Sequence, residues 1–234
     1  MEFIYEKKIE YGMCDIHAKL KVPEILKMVE SGVASFFGIY HKDNLTLKKV
    51  YTAFWLFTKT CFQVDRLPCW DEIVIIEACR VEQSSKLTCV IEIYIHPKDT
   101  AGIRAWVECC TASLETRKLL RLQAIDFAIP ESKACPISFN KWEVDCEEQR
   151  RVKVSSSYID FSRHVNNAEY LRILFDGYTI DELEAMKVSF VEIHYLAEAR
   201  EDDILVIRKR SVEKTTFFQI IRDKPILEML MKEE

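Results

Sequence analysis

The same order of elements is written twice along this chain, and that duplication limits the folds open to it. Residues 2–9 (EFIYEKKI) alternate like an edge strand. From Val22 to Phe37 the apolar residues Ile25, Val29, Val33 and Phe36/Phe37 recur every three to four positions, with Pro23 near the first turn, which predicts a helix. After Gly38 and a polar HKDN turn, strand-like runs occupy 50–64, 72–81, 86–95 and 103–115. Short turns such as RLPCWD and EQSS separate them, and the lengths suit antiparallel hairpins. Residues 120–149, with Pro130 and Pro136, break the periodicity and read as a connecting segment. The opening order then returns. A strand at 151–159 leads to a helix over Ala168–Gly177 that stacks Tyr170/Leu174 and Leu171/Phe175, followed by strands within 187–198, 203–212, 215–223 and 226–232.

A residue-level echo accompanies the repeat. Asp15-Ile-His-Ala-Lys19 precedes the first helix as Asp160-Phe-Ser-Arg-His164 precedes the second, an offset of 145 (from 15 to 160) that carries Ile25 onto Tyr170 and Leu26 onto Leu171. Each half, at about a hundred residues, can close one core. One helix followed by several antiparallel strands in each half predicts an α+β fold.

Composition removes several function classes. With 49% hydrophobic and 30% charged residues the chain has an ordinary globular balance, not a disordered one. No apolar run approaches the roughly 18 residues of a membrane span, and the N-terminus lacks the order of a signal peptide, so a cytoplasmic protein is expected. Thirty-three basic against 38 acidic residues give a net charge of −5, which offers no global field to nucleic acid. None of the five glycines falls in a GxGxxG or GxxxxGK[ST] phosphate cradle. The nine cysteines include no CxxC pair and no histidine at ligand spacing. They read as small buried hydrophobes in a reducing compartment, with no metal site expected.

The segment from Asp160 to Tyr170 carries the most specific chemistry. Asn166 or Asn167 suits a helix N-cap, so a helix N-terminus with unpaired N–H groups should follow His164. An Asp and a His beside that terminus combine a titratable pair with an oxyanion site. The same spacing also fits a plain turn in which Asp160 and Ser162 cap the backbone. Glu198 ends a strand-like run between Ala197 and Ala199, where small neighbours leave room for a ligand; it also fits the solvated acidic cluster at 198–203. His17, His41, His96 and His194 have no partner in sequence and are read as structural.

HVNNAEYL, following Asp160, resembles the hotdog thioesterases, especially the double-hotdog acyl-ACP thioesterases of plants and bacteria. Residues 54–75 look like that family's Trp-containing strand and the turn after it, here Arg66, Pro68, Trp70, Asp71 and Glu72. Residues 105–122 are similar to its segment ending in Thr-Arg-Arg/Lys. The resemblance implies a tandem (double) hotdog, each an antiparallel sheet wrapped around a long central helix. Residues 1–122 would be an N-terminal hotdog housing the acyl chain, 123–149 a connecting segment, and 150–234 the catalytic hotdog. It implies catalytic roles for Asp160, His164 and Glu198, with Ser162 where plant members carry a catalytic Asn and Ala199 where they often carry Cys. Because alanine is no nucleophile, the implied scheme is water attack assisted by Glu198 or Asp160 with His164. The helix amides at Asn166 and Asn167 would hold the oxyanion.

In the first module, Lys19 and Lys21 replace the His and Asn positions, as in a non-catalytic copy. Phe36, Phe37, Trp55 and Phe57 are candidate acyl-chain contacts that fit a plain core equally. No cofactor is implied. The implied partner is an acyl carrier protein, whose acidity would favour basic patches such as Arg117/Lys118/Arg121, Arg150/Arg151/Lys153 or Arg208/Lys209/Arg210. The chain would be a monomer or a homodimer. An acyl-CoA thioesterase, a hotdog hydratase and a non-catalytic acyl-binding hotdog protein are the other readings of the same residues.

Overall fold

The 3.6-residue spacing of the first apolar stripe produces α1 (Val22–Ile39), and its buried face holds Ile25, Leu26, Val29, Val33, Phe36 and Phe37. Pro23 sits in the first turn, where a missing N–H breaks no helical bond. Gly32 lets the helix lie close to the sheet, because a Cβ there would stand 3.2 Å from Ile93 Cδ1. The computed structural model describes residues 1–82, 85–160 and 162–234. The expected EQSS turn falls partly on Gln83 and Ser84, which lie outside the described residues, as does Phe161 of the Asp160 segment. Among the described residues, no helix is long and apolar enough to cross a membrane.

The first half contains β1 (Glu2–Lys8), α1, α2 (Asn44–Tyr51), β2 (Ala53–Val64), β3 (Ile73–Glu82), β4 (Thr88–Pro97), β5 (Ile103–Ser113) and the short β6 (Leu119–Leu120). β7 (Glu131–Ala134) follows. The second half contains β8 (Glu147–Lys153), α3 (Asn167–Phe175), α4 (Ile180–Ala185), β9 (Val188–Tyr195), β10 (Ile204–Val212), β11 (Thr215–Ile221) and β12 (Pro225–Glu233). The strands form one sheet in the order β1-β3-β4-β5-β2-β9-β12-β11-β10-β8, with β6 on β5 and β7 on β3. Reading outward from the centre, each half runs through its second, fifth, fourth, third and first long strands. The duplication is therefore topological as well as sequential. The halves join where β2 pairs antiparallel with β9, from Lys59 opposite His194 to Gln63 opposite Phe190. One apolar cluster runs beneath both, from α1 to α3.

The structure departs from the sequence reading in four places. The expected strand at 50–64 loses its start to α2, which Asp43 caps by accepting from the amides of Leu45 and Thr46 at 2.9 and 3.1 Å. That cap outweighs the strand preference of Thr46, Val50 and Tyr51. The strand expected at 151–159 runs from 147 to 153 instead, giving way to a 3-10 turn at 156–158. The second helix is not long: α3 has nine residues against eighteen in α1, and α4, with a Thr179–Glu182 capping box, follows it.

The connecting segment is also more ordered than its broken periodicity suggests. β7 pairs parallel with β3, and Lys133 and Arg104 meet the buried Glu92 at 2.8 and 3.2 Å. Cys135, Ile137 and Phe139 then cover Cys61, Cys79, Val81, Val90 and Trp106 on the sheet. Further on, the Asn140 amide donates to Glu192 at 2.8 Å, and Trp142 lies over His194, whose ring contacts Glu192 at 2.8 Å. The segment thus straps the β2–β9 seam. Six of the nine unpaired cysteines are buried.

Candidate active site

A tight loop ahead of α3 places Asp160, Ser162 and His164. The Asp160 amide donates to the His164 carbonyl at 3.0 Å, and Arg163, at φ 66°, donates back to the Asp160 carbonyl at 3.0 Å. Asp160 Oδ1 accepts from the Ser162 amide at 2.7 Å and from the Ser162 hydroxyl. The Asp15 loop ahead of α1 repeats this geometry residue for residue. There the Asp15 amide donates to Lys19 at 2.7 Å, Ala18 takes φ 57°, and Asp15 Oδ1 accepts from His17 and Lys19 amides, each at 2.9 Å. The shared aspartate therefore builds a turn in both halves, and Lys19 of the first turn stands where the second has His164.

Contacts outside the loop fix its orientation. The Asn166 amide donates to Tyr158 and the Val165 amide to the Ala199 carbonyl, each at 2.9 Å. Asn166 caps α3 by accepting from the Ala168 amide at 2.9 Å. Glu198 follows β9, where the Leu196 and Ala197 amides donate to Ile226 at 2.9 and 3.2 Å. Arg222 donates to the Glu198 carbonyl at 3.3 Å while paired with Asp203, and the Tyr170 hydroxyl accepts from the Ala199 amide at 3.0 Å.

The two loops converge. His164 Nε2 lies 3.0 Å from Glu198 Oε2, with the histidine side chain 13% exposed and the glutamate 36%. On the other side of the ring, Nδ1 lies 3.4 Å from Ser162 Oγ, which is bound in turn to Asp160. A chain Asp160–Ser162–His164–Glu198 results. Arg117, from the turn after β5, also reaches Glu198 Oε2 at 2.9 Å and lies over the Phe54 ring. Sequence reasoning saw Arg117 only within a basic patch; nothing in its local pattern marks a partner 81 residues away. In the Arg150/Arg151/Lys153 patch, Arg151 pairs with Glu148 and Lys153 with Asp202, each at 2.8 Å.

A cleft of about 1190 Å³ opens at this junction, between α1, β2 and the two loops. Asp160, Ser162, His164, Asn166, Asn167 and Glu198 all line it. Of the aromatic candidates, Trp55 and Phe57 line it, whereas Phe36 and Phe37 do not. Both phenylalanines are buried in the core at 1% exposure, Phe37 stacked on Trp55 with centroids 4.2 Å apart. The correction has a simple cause: both sit on the sheet-facing stripe of α1. Ala199 is fully buried and is not on the cleft wall. Glu30, from α1, does line the cleft, and its sequence context gave no sign of this.

A helix laid on an antiparallel sheet, present twice and merged along one seam, defines a double-hotdog fold, and a His–carboxylate pair stands at a helix N-terminus beside that seam. The family model for the acyl-ACP thioesterase C-terminal domain matches residues 142–224, the span that holds Asp160, Ser162, His164 and Glu198. The fold of the chain is similar to that of an acyl-ACP thioesterase from Bacteroides thetaiotaomicron, at 17% identity and TM-score 0.86, over 98% of this chain and 96% of that one. It is equally similar to a 12:0-ACP thioesterase from Umbellularia californica, at 13% identity and TM-score 0.86, again over 98% and 96% of the two chains. No curated protein sequence matches the chain.

Proposed function

We propose that this protein hydrolyses the thioester of fatty acyl-ACP to free fatty acid and carrier-protein thiol, using Glu198 and His164 to activate water. The observation that carries this reading is the 3.0 Å contact between those two side chains at the wall of the cleft, beside the α3 N-terminus. Water held against the pair gives up a proton to it, and the resulting hydroxide attacks the thioester carbonyl carbon. Charge develops on the carbonyl oxygen, and the Asn167 amide, which has no partner among the described residues, points its donor from the first turn of α3. Collapse of the tetrahedral intermediate breaks the C–S bond, and the departing thiolate takes the proton from the pair. A ring carrying both protons satisfies Glu198 at Nε2 and Ser162 at Nδ1 together, so the Asp160–Ser162 arm favours the state that follows proton capture.

The division of labour follows from where the cleft runs. The second module supplies the water-activating residues, and the first, through Trp55, Phe57 and the cleft-facing side of α1, houses the acyl chain. The carrier protein is the partner. The cytoplasm, where unpaired thiols persist, is its compartment. Purified protein is to be incubated with a panel of acyl-ACP and acyl-CoA chain lengths while thiol release is followed. His164→Ala and Glu198→Ala are each expected to lower turnover at least about tenfold with unchanged melting. Wild-type rates in both variants would remove this site assignment.

A further inference from the structure

The cleft contains a carboxyl from the first module that the water-activating pair does not use. Glu30 belongs to α1 of the first module, yet it lines the cleft together with Asp160, Asn166, Asn167 and Tyr195. One turn earlier, Lys27 lies 3.9 Å from Glu169 of α3, so this side of α1 looks at the α3 N-terminus. Asn166 spends its side-chain oxygen on the Ala168 amide, which leaves its NH₂ group to donate elsewhere. The Asn166 and Asn167 side chains line the same cleft as Glu30.

The groups facing Glu30 are Asp160 from the loop, Glu169 from α3, Tyr195 from β9 and Lys27 from its own helix. The Lys27 amine is held by Glu24 at 2.8 Å. Burial first, and then the Asp160 charge, push the Glu30 carboxyl up to about 8, against the two asparagine donors. At neutral pH the group is therefore mostly an uncharged acid with a hydrogen to give. Because Glu30 lines the cleft, that hydrogen can be offered to a ligand held there.

We propose that Glu30 completes the oxyanion site: its carboxyl, on the cleft lining it shares with Asn166 and Asn167 at the α3 N-terminus, donates a hydrogen bond to the thioester carbonyl oxygen as negative charge builds there. The proton stays on Glu30 throughout, so no further reactant is needed. The module that lacks the histidine thus still contributes a group to the chemistry. This inference rests on the hydrolytic reading above.

The test compares wild type, Glu30→Gln, Glu30→Ala and His164→Ala in acyl-ACP thiol release between pH 6 and 10, with melting temperatures for each. Wild-type kcat should fall as pH rises past about 8, where the donor is lost. Glu30→Gln, which keeps a donor and an acceptor but cannot ionise, should stay within about tenfold of wild type at pH 7 and lose that alkaline fall. Glu30→Ala should lose about 100-fold in kcat with KM little changed. Should Glu30→Ala fail to fold, the Glu30→Gln profile decides alone. An unaltered alkaline limb in Glu30→Gln, or wild-type turnover in Glu30→Ala, overturns the proposal. If His164→Ala is inactive at the same time, only this inference falls. Absence of thiol release by wild type overturns the hydrolytic reading and this one with it.

Discussion

Asp160 shows how one side chain can carry two meanings. Its counterpart Asp15 makes the same turn with Lys19 in place of His164, so the turn itself requires an acceptor at that position. Asp15→Ala, which removes acceptors for the His17 and Lys19 amides, is expected to cost about 1–3 kcal/mol in urea unfolding and leave thiol release unaltered, since Asp15 is outside the cleft. Ser162→Ala tests the chemical half of the motif. It removes the hydroxyl between Asp160 and His164 but neither charge, so kcat should fall about threefold to tenfold, less than for His164→Ala, with KM held. A fall as large as that of His164→Ala would make Ser162 more than a bridge. The residues of the Asp160 loop were legible because a turn is a local event. Glu198 was a candidate from its small neighbours Ala197 and Ala199, but its local pattern also suits a solvated acid.

The helices and strands divide along similar lines. α1 was legible at its start and along its stripe because eighteen residues give the 3.6 period room to show, and β3, β4 and β5 lie within two residues of their expected limits at most points. α2 was hidden because its eight residues bury only Leu47, so a cap rather than a stripe holds it together. β8 was misplaced because an edge strand reading EEQRRVK has little apolar alternation to reveal it. The hairpin between β4 and β5 depends on one residue. A Cβ on Gly102 would lie 2.1 Å from the Ile95 carbonyl oxygen and 2.7 Å from the His96 Cα, both backbone atoms that cannot swing aside. Gly102→Ala is therefore expected to lower stability by at least about 2 kcal/mol, read from the urea midpoint at unchanged m-value. A wild-type midpoint would mean that the hairpin yields more freely than its contacts indicate.

At the scale of the molecule, the β2–β9 seam and the apolar cluster beneath it make the two halves one object. Residues 1–146 alone would leave the β2 edge open opposite Cys61 and Phe62. Size-exclusion chromatography of that fragment should show self-association where the full chain runs at a single size. Glu30 adds a dependence on pH with a definite sign. Its folded-state value, raised to about 8, lies above its ordinary 4.5, so its contribution to stability is fully present below 4.5 and declines as pH rises toward 8. Urea midpoints at pH 5, 7 and 9 should fall across that window in wild type and be flatter in Glu30→Gln. Parallel slopes would show that the carboxyl is ionised as in water.

The amino-acid order alone determined the doubled succession of strand, turn, helix and strands, and the turn that sets His164 beside a helix N-terminus. Each of these depends on hydrophobic period, caps and turn chemistry acting over a few residues. Tertiary structure decided which distant groups share the cleft: Glu198 against His164, Arg117 against Glu198, and Glu30 from the other module on the same lining as Asn166 and Asn167. Those meetings depend on strand register across the seam and on how α1 lies over it. Many side chains would satisfy the local pattern at positions 30, 117 and 198; only the packed sheet makes their identities matter to one another.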